Sequence, residues 1–232
     1  MSQPPSPRFF VTGTDTGVGK TQVSCALLSL MRDAGLSPQG FKPYESGCVS
    51  LKAPSDALAM REAAGSTLPV EAVCPHRFRA PLAPGIAAWR LGREPDWRVT
   101  LAAWRRLKDG AVVVEGAGGL FVPVDAKRDV VDLIQTFDLP VVLVARAGLG
   151  TLNHVALSLE ALASRKLSVR AVVLSRGVPG SDLAERDNRR YLESRHGVEV
   201  LGPVPYVQDA RRRHLAFRRA LAPLVPERAR AR

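Results

Sequence analysis

The chain has 232 residues, 46% hydrophobic and 24% charged. That length and apolar content fit one globular domain and exclude a largely disordered or fibrous chain. No apolar run approaches the ~20 residues of a membrane-spanning helix, and the opening Met-Ser-Gln-Pro-Pro-Ser-Pro-Arg lacks the apolar core of a secretory signal. Lys and Arg outnumber Asp and Glu 33 to 22, a net charge of +11. More than half of that excess lies between Pro205 and Arg232, where eight arginines stand against Asp209 and Glu227. The segment has no aromatic interleaving suited to base stacking, so neither a nucleic-acid nor a membrane partner is expected. Cys25, Cys48 and Cys74 are odd in number and match no metal spacing, which predicts free thiols and a cytoplasmic location.

In chain order, Phe9-Phe10-Val11 predicts a strand leading into a Gly-rich turn. Val23, Ala26, Leu27, Leu30, Met31 and Ala34 then recur at helical spacing, and Gly35 supplies the stop. Residues from about Pro54 to Pro95, rich in Pro and Ala, read as an insertion over the active-site edge. Trp97, Leu101, Trp104 and Leu107 share one face of a helix ending near Gly110, as packing residues. Three apolar, β-branched runs follow, Ala111–Val114, Pro140–Val144 and Val169–Leu174, separated by helical periodicity near Val130–Phe137 and Leu152–Leu162. Continuous apolar strands alternating with helices predict a parallel sheet covered on both faces. Val198–Leu201 is expected as a last short strand before Gly202-Pro203. The basic segment from about residue 207, with Leu215, Phe217, Leu221 and Leu224, is expected to form a terminal helix with a solvated face, dispensable for catalysis after Pro226. The expected fold is a single α/β domain over residues 1–232, a doubly wound and mostly parallel sheet of the P-loop NTPase kind, with its sites at the carboxyl ends of strands.

The turn Gly13-Thr14-Asp15-Thr16-Gly17-Val18-Gly19-Lys20-Thr21 stands between the first strand and the first helix, the context a P-loop requires. Gly17 and Gly19 let backbone amides approach phosphates, and the helix adds its unpaired amides and positive end. Lys20 can reach the β- and γ-phosphates, and the Thr21 hydroxyl can coordinate Mg²⁺. Five residues rather than four separate Gly13 from Gly19, so Thr14 occupies the first glycine position of the strict motif. Glu115, directly after Val112-Val113-Val114, would come beside this loop at a central strand end, unless it caps a helix or faces solvent. Asp56 in Pro-Ser-Asp-Ala-Leu-Ala is either an N-cap or an acidic ligand. Lys42, before Pro43, is either a surface lysine or a second cation for charge developing on a transferred group.

Taken together these pieces resemble the dethiobiotin synthetase family. The loop at 13–21 is similar to that family's P-loop, and Lys42-Pro43 with Ser46-Gly47 to its Lys-Pro-x-x-Ser/Thr-Gly element. Ser55-Asp56-Ala57 and Glu115-Gly116-Ala117-Gly118-Gly119 resemble its two acidic elements, and Gly148-Leu149-Gly150-Thr151-Leu152-Asn153-His154 its later Leu-Gly-x-x-Asn-His stretch. The matches run in order from Phe9 to about Pro205. The resemblance implies an ATP- and Mg²⁺-dependent cyclo-ligase that joins CO₂ to 7,8-diaminopelargonate through a carbamic-phosphoric anhydride, giving dethiobiotin, ADP and phosphate.

It also implies roles. Lys20, Lys42 and Thr16 would act in catalysis. Gly17, Val18, Gly19, Lys20, Thr21, Gln22, Ser175 and Pro205 would hold the nucleotide. Ser46, Gly118, Thr151 and Asn153 would hold the diamine substrate, the last two reaching across a homodimer interface. Thr21, Asp56 and Glu115 would hold the metal. Gly17 stands where some members carry Glu, Ser175 where some carry an adenine-reading Asn, and Gly85 where a His is often seen.

Two other classes compete. A partition- or positioning-type ATPase that binds DNA or membrane carries a lysine five residues before the P-loop lysine, and here that position is Asp15. A cobyrinate-type small-molecule ligase would normally bring a glutaminase domain, for which 232 residues leave little room.

Overall fold

The computed structural model describes residues 6–180 and 183–225. The end of the basic segment, and with it the expectation about residues after Pro226, lies outside the described residues. The strands are β1 (Arg8–Gly13), β2 (Gln39–Phe41), β3 (Tyr44–Glu45), β4 (His76–Arg77), β5 (Val112–Glu115), β6 (Val141–Arg146), β7 (Val169–Ser175) and β8 (Val200–Val204). The helices are α1 (Lys20–Asp33), α2 (Ser55–Ala64), α3 (Val70–Val73), α4 (Pro84–Arg90), α5 (Trp97–Leu107), α6 (Val130–Phe137), α7 (Thr151–Ala163), α8 (Leu183–His196) and α9 (Ala210–Leu221).

Among the described residues a six-stranded sheet runs in the order β2-β5-β1-β6-β7-β8, with every pairing parallel. From β1 the chain passes beyond the place of β5 to β2, returns through the insertion to β5, then continues on the other side of β1 to β6. The switch point of this doubly wound sheet is therefore the carboxyl end of β1, where crevices form in such folds. Register puts Val11 opposite Glu115 and Gly13 opposite Val144, so the ends of β5, β1 and β6 open at one edge.

Alternation along the strands divides the core. Phe10, Val112, Val114 and Leu143 face α5, α6, α7 and α8 through Trp104, Ile134, Leu162 and Leu192. Phe9, Val11, Val113 and Val144 face α1, α2 and α9 through Leu27, Met60 and Phe217. Neither face of the central strands meets water, which is why they read as unbroken apolar runs.

Some elements differ from the sequence reading. The last strand extends through Gly202-Pro203 rather than ending before it; β8 pairs only with β7, and an edge strand tolerates a proline. Helix α8 escapes the periodicity because two of its three buried residues, Glu185 and Asn188, are polar. In α9, Phe217 and Leu221 are buried while Leu215 faces solvent. Arg218 of that helix pairs with Asp33 of α1 at 2.6 Å, so its basic surface is partly neutralised.

The insertion between 54 and 95 carries α2, α3, β4 and α4, and β4 pairs with β3 in a small parallel sheet. There Tyr44 stacks on His76, with ring centroids 4.8 Å apart, and the Thr100 hydroxyl meets both Tyr44 Oη and His76 Nε2 at 3.0 Å. Burial lowers the His76 pKa to about 4, against the opposing pull of the neighbouring Asp96 and with added repulsion from Arg93. The unfolded chain takes up this proton near pH 6.5 and the folded chain only near 4, so His76 contributes stability above pH 6.5 that is lost on acidification. Between those values the unfolding free energy of the wild type should fall by up to about 1.36 kcal/mol per pH unit more steeply than that of His76→Gln. Denaturant titrations of both proteins from pH 4 to 7 would measure the difference.

Candidate active site

The loop after β1 and the start of α1 form one wall of a cleft of about 690 Å³ at the carboxyl edge of the sheet. Gly17 and Gly19 both have positive φ, 73° and 102°, a conformation that L side chains rarely adopt. A Cβ at Gly19 would come within 3.2 Å of Ser175 Oγ and 3.6 Å of Phe217, so the loop rests on β7 and α9 from behind. Gly19 is the N-cap of α1 and has no side chain to bond the first turn, which also lacks an acidic residue. The N-terminal amides and positive end of a 14-residue helix are thus directed at the cleft, as an anion requires.

Charge is concentrated opposite this helix end. Glu115, at the end of β5, is 1% exposed. Its Oε1 accepts from Lys42 Nζ at 2.5 Å and from Thr21 Oγ1 at 3.0 Å, while Oε2 is buried without a partner in the protein. Lys42 Nζ also donates to the Gly116 carbonyl at 3.1 Å and lies 3.3 Å from Asp56 Oδ2. Burial by itself would lower the Lys42 pKa, but Glu115 and Asp56 outweigh it and hold the pKa above its ordinary value, so this ammonium keeps its proton. Lys20 Nζ donates to the Asp15 carbonyl at 2.8 Å. Burial, with repulsion from Lys42, lowers its pKa to about 8.

Thr16, Gly17, Gly19, Lys20, Thr21, Gln22, Lys42, Ser46, Asp56, Glu115 and Gly118 all line this cleft. Gly118 has a φ of 62°, and a Cβ there would collide with Val122 at 2.7 Å and approach Thr16 Oγ1 at 3.4 Å. The N-cap of α2 is Pro54, and Asp56 sits in the first turn, so Asp56 is not that helix's N-cap. Lys42 is buried rather than a surface lysine.

The remaining sequence-derived residues lie elsewhere. Val18 is buried beneath the loop and Ser175 behind Gly19. Pro205 is exposed just after β8, and Asn153 is exposed on α7. Thr151 is buried at the start of α7, with its hydroxyl unpaired. Neither Thr151 nor Asn153 lines the cleft of its own chain.

Pro81, Leu82, Ala83 and Pro84 form a wall of the cleft, in line with an insertion over the active-site edge. Spacing missed two features. Arg146 reaches Asp15 at 3.3 Å across the loop, a pairing that only strand order brings about. Glu45 binds the start of α2, for which the one sequence hint is the absence of a capping side chain at Pro54.

A P-loop at a sheet switch point, with an acidic strand end and two buried lysines, defines a nucleotide phosphate-binding protein of the α/β class. A family model described as AAA domain matches residues 7–213. The signal recognition particle receptor FtsY from Elizabethkingia anophelis has a similar fold, with a TM-score of 0.52 at 16% identity, over 93% of this chain and 66% of that one. Curated relatives are closer. The ATP-dependent dethiobiotin synthetase BioD of Anaeromyxobacter dehalogenans strain 2CP-C is 48% identical over 92% of this chain and 96% of its own. The proteins of the same name from Bacillus licheniformis and Thermodesulfovibrio yellowstonii are 38% and 36% identical, over 87% of this chain in each case and 87% and 89% of their own. The chain belongs to the ATP-dependent dethiobiotin synthetase family.

Removing Glu115 would leave Lys42 buried with the Gly116 carbonyl and, for opposite charge, Asp56, which is 38% exposed. Glu115→Ala should cost about 3–5 kcal/mol in denaturant unfolding, and a second change, Lys42→Met, should recover part of that loss by removing the stranded charge.

Proposed function

We propose that this chain catalyses the ATP-dependent closure of the ureido ring of dethiobiotin from 7,8-diaminopelargonate and CO₂. The observation that carries this reading is the convergence of Lys20, Lys42, Asp56 and Glu115 on one cleft that the uncapped α1 end faces, in a chain of this family. One amine of the substrate combines with CO₂ to give a carbamate. A carbamate oxygen attacks the γ-phosphorus of ATP and ADP leaves. The neighbouring amine then attacks the carbamoyl carbon, the ring closes and phosphate departs.

The protein's part is positioning and charge stabilisation, as phosphoryl transfer demands. Backbone amides from Gly17 to Gln22 and the Lys20 ammonium would hold the β- and γ-phosphates. Thr16, which the loop turns toward Gly118, would touch the migrating phosphoryl. Lys42, kept protonated by its carboxylate neighbours, would offset negative charge on the carbamate as its oxygen attacks. Ser46 would hydrogen-bond the diamine, with Gly118 leaving room for it. Ser175 and Pro205 would border the nucleotide base.

The donor set near Thr21 fits Mg²⁺. Among the described residues no group of three or more His, Cys, Asp or Glu could hold a metal. Mg²⁺ needs no such cage, since it takes one or two carboxylates together with phosphate and water. Glu115 Oε2, buried and unpartnered, is the kind of oxygen a cation would complete, and Thr21 and Asp56 line the same cleft. Bound by Thr21, Asp56 and Glu115, Mg²⁺ would neutralise the phosphate oxygens of ATP.

Thr151 and Asn153 act in this reading on the cleft of a second subunit. Helix α7 supports it: Gly150 gives no side-chain cap, the first turn has no acidic residue, and the buried Thr151 hydroxyl is unpaired. Such a helix end suits the substrate carboxylate. The free, buried Cys25, Cys48 and Cys74 support a cytoplasmic location. No helix among the described residues is long and apolar enough to cross a membrane.

Purified protein should form dethiobiotin from the diamine, bicarbonate, Mg²⁺ and ATP, and lose that activity when EDTA removes the metal. A folded protein that forms none with ATP, CTP or GTP would refute the reading. Lys20→Ala should lower kcat by about 100-fold or more, well beyond Ser175→Ala, because charge contacts at the transferred group strengthen in the transition state and base contacts do not. Mixing Lys20→Ala with Asn153→Ala subunits should restore about a quarter of wild-type activity, since half of randomly formed twofold dimers would be mixed and each would hold one intact site. Equal inactivity of the mixture and its parents would argue for sites built within one chain.

A further inference from the structure

Helix α2 starts without a cap of its own, because Pro54 at the N-cap position has no side-chain acceptor. The acceptor arrives from β3. Glu45 Oε1 accepts from the Asp56 amide at 3.1 Å and Oε2 from the Ala57 amide at 2.9 Å, with a longer bond of 3.4 Å from Ser55 Oγ to Oε1. One buried carboxylate thus satisfies two of the amides that a helix start leaves unpaired, and it sits at the positive end of the helix. The backbone of Glu45 is itself fixed, since its carbonyl accepts from the Phe78 amide of the chain after β4 at 2.8 Å. Asp56 belongs to the turn that Glu45 ties down. Its carboxylate is 38% exposed, so its place 3.3 Å from Lys42 depends on how firmly that turn is held.

We propose that Glu45 is a positioning residue for the reaction: by capping α2 from a separate strand, it fixes the Asp56 carboxylate beside Lys42. Glu45 lines the cleft together with its chain neighbour Ser46, and both of its carboxylate oxygens are engaged by α2 amides. The inference deepens the proposed function and rests on it where Asp56 is read as a Mg²⁺ ligand. Groups that orient a metal ligand typically change metal affinity 10- to 100-fold when removed, although they touch neither metal nor substrate.

The test compares Glu45→Ala, Glu45→Gln, Asp56→Asn and the Glu45→Ala/Asp56→Asn double variant in the full chain. In Glu45→Ala the Mg²⁺ concentration for half-maximal turnover should rise about tenfold, while KM for the diamine moves by less than about twofold. Glu45→Gln, which keeps one acceptor oxygen, should recover most of that shift. In the Asp56→Asn background, Glu45→Ala should add less than about twofold, because the carboxylate it positions is gone. Hydrogen exchange of the Asp56 and Ala57 amides, followed without nucleotide, diamine or metal, should accelerate about tenfold or more in Glu45→Ala. That measurement reports the cap whatever reaction the protein catalyses, so a failure of the proposed activity and a failure of the positioning role are separable. Unchanged Mg²⁺ half-saturation in a variant with fast exchange overturns the proposal, as does an equal loss in both Asp56 backgrounds. If Glu45→Ala does not fold, Glu45→Asp takes its place, because its shorter side chain cannot reach both amides: a rise of about threefold in half-saturating Mg²⁺ supports the role, and no rise overturns it.

Discussion

The centre of this molecule is a lysine ammonium held inside protein by a glutamate at a strand end. Taking both charges out of water is costly, and their mutual attraction offsets the cost only when the remaining hydrogen-bonding capacity is used. Here Lys42 spends its donors on Glu115, Asp56 and the Gly116 carbonyl, and Glu115 Oε1 takes a further bond from Thr21. The arrangement leaves one carboxylate oxygen, Glu115 Oε2, buried without a partner in the protein. The buried pair therefore lies in the wall of the cleft itself. Any change made for stability at this point also alters the charge that the cleft presents.

Strand order makes that pair possible. Lys42 follows β2 and Glu115 ends β5, and these strands are neighbours although the insertion and α5 separate them in the chain. β1 lies on the other side of β5 and carries the phosphate loop to the same edge. Parallel strands deliver all their carboxyl ends to one side, so a site assembled from several loops needs no special fold beyond the sheet itself. The insertion then closes that side, with α2 bringing Asp56 and the residues before α4 forming a wall.

Much of this is legible in the sequence, for identifiable reasons. Val112-Val113-Val114 and Val141–Val144 read as central strands because burial on both faces removes polar residues from them. The loop from Gly13 to Thr21 is legible because phosphate binding constrains backbone, charge and hydroxyl together. By contrast, β2 has only three residues, too few for a periodic signal, and α8 packs through polar side chains. Glu45 was unreadable as a cap because its partners are helix amides on another element, and nothing in its own neighbourhood specifies them. Lys42 and Asp56 were ambiguous until tertiary structure buried the one and ruled out the other as an N-cap.

The contact of Phe217 with the back of the phosphate loop has a consequence for synthesis of the chain. The loop leaves the ribosome early, yet the aromatic ring that supports Gly19 belongs to α9, far downstream. Until that helix emerges and docks on α1, the loop can rest on Ser175 of β7 but lacks the aromatic half of its support. The backing of Gly19 is thus completed late in translation, after the rest of the sheet has had the opportunity to form.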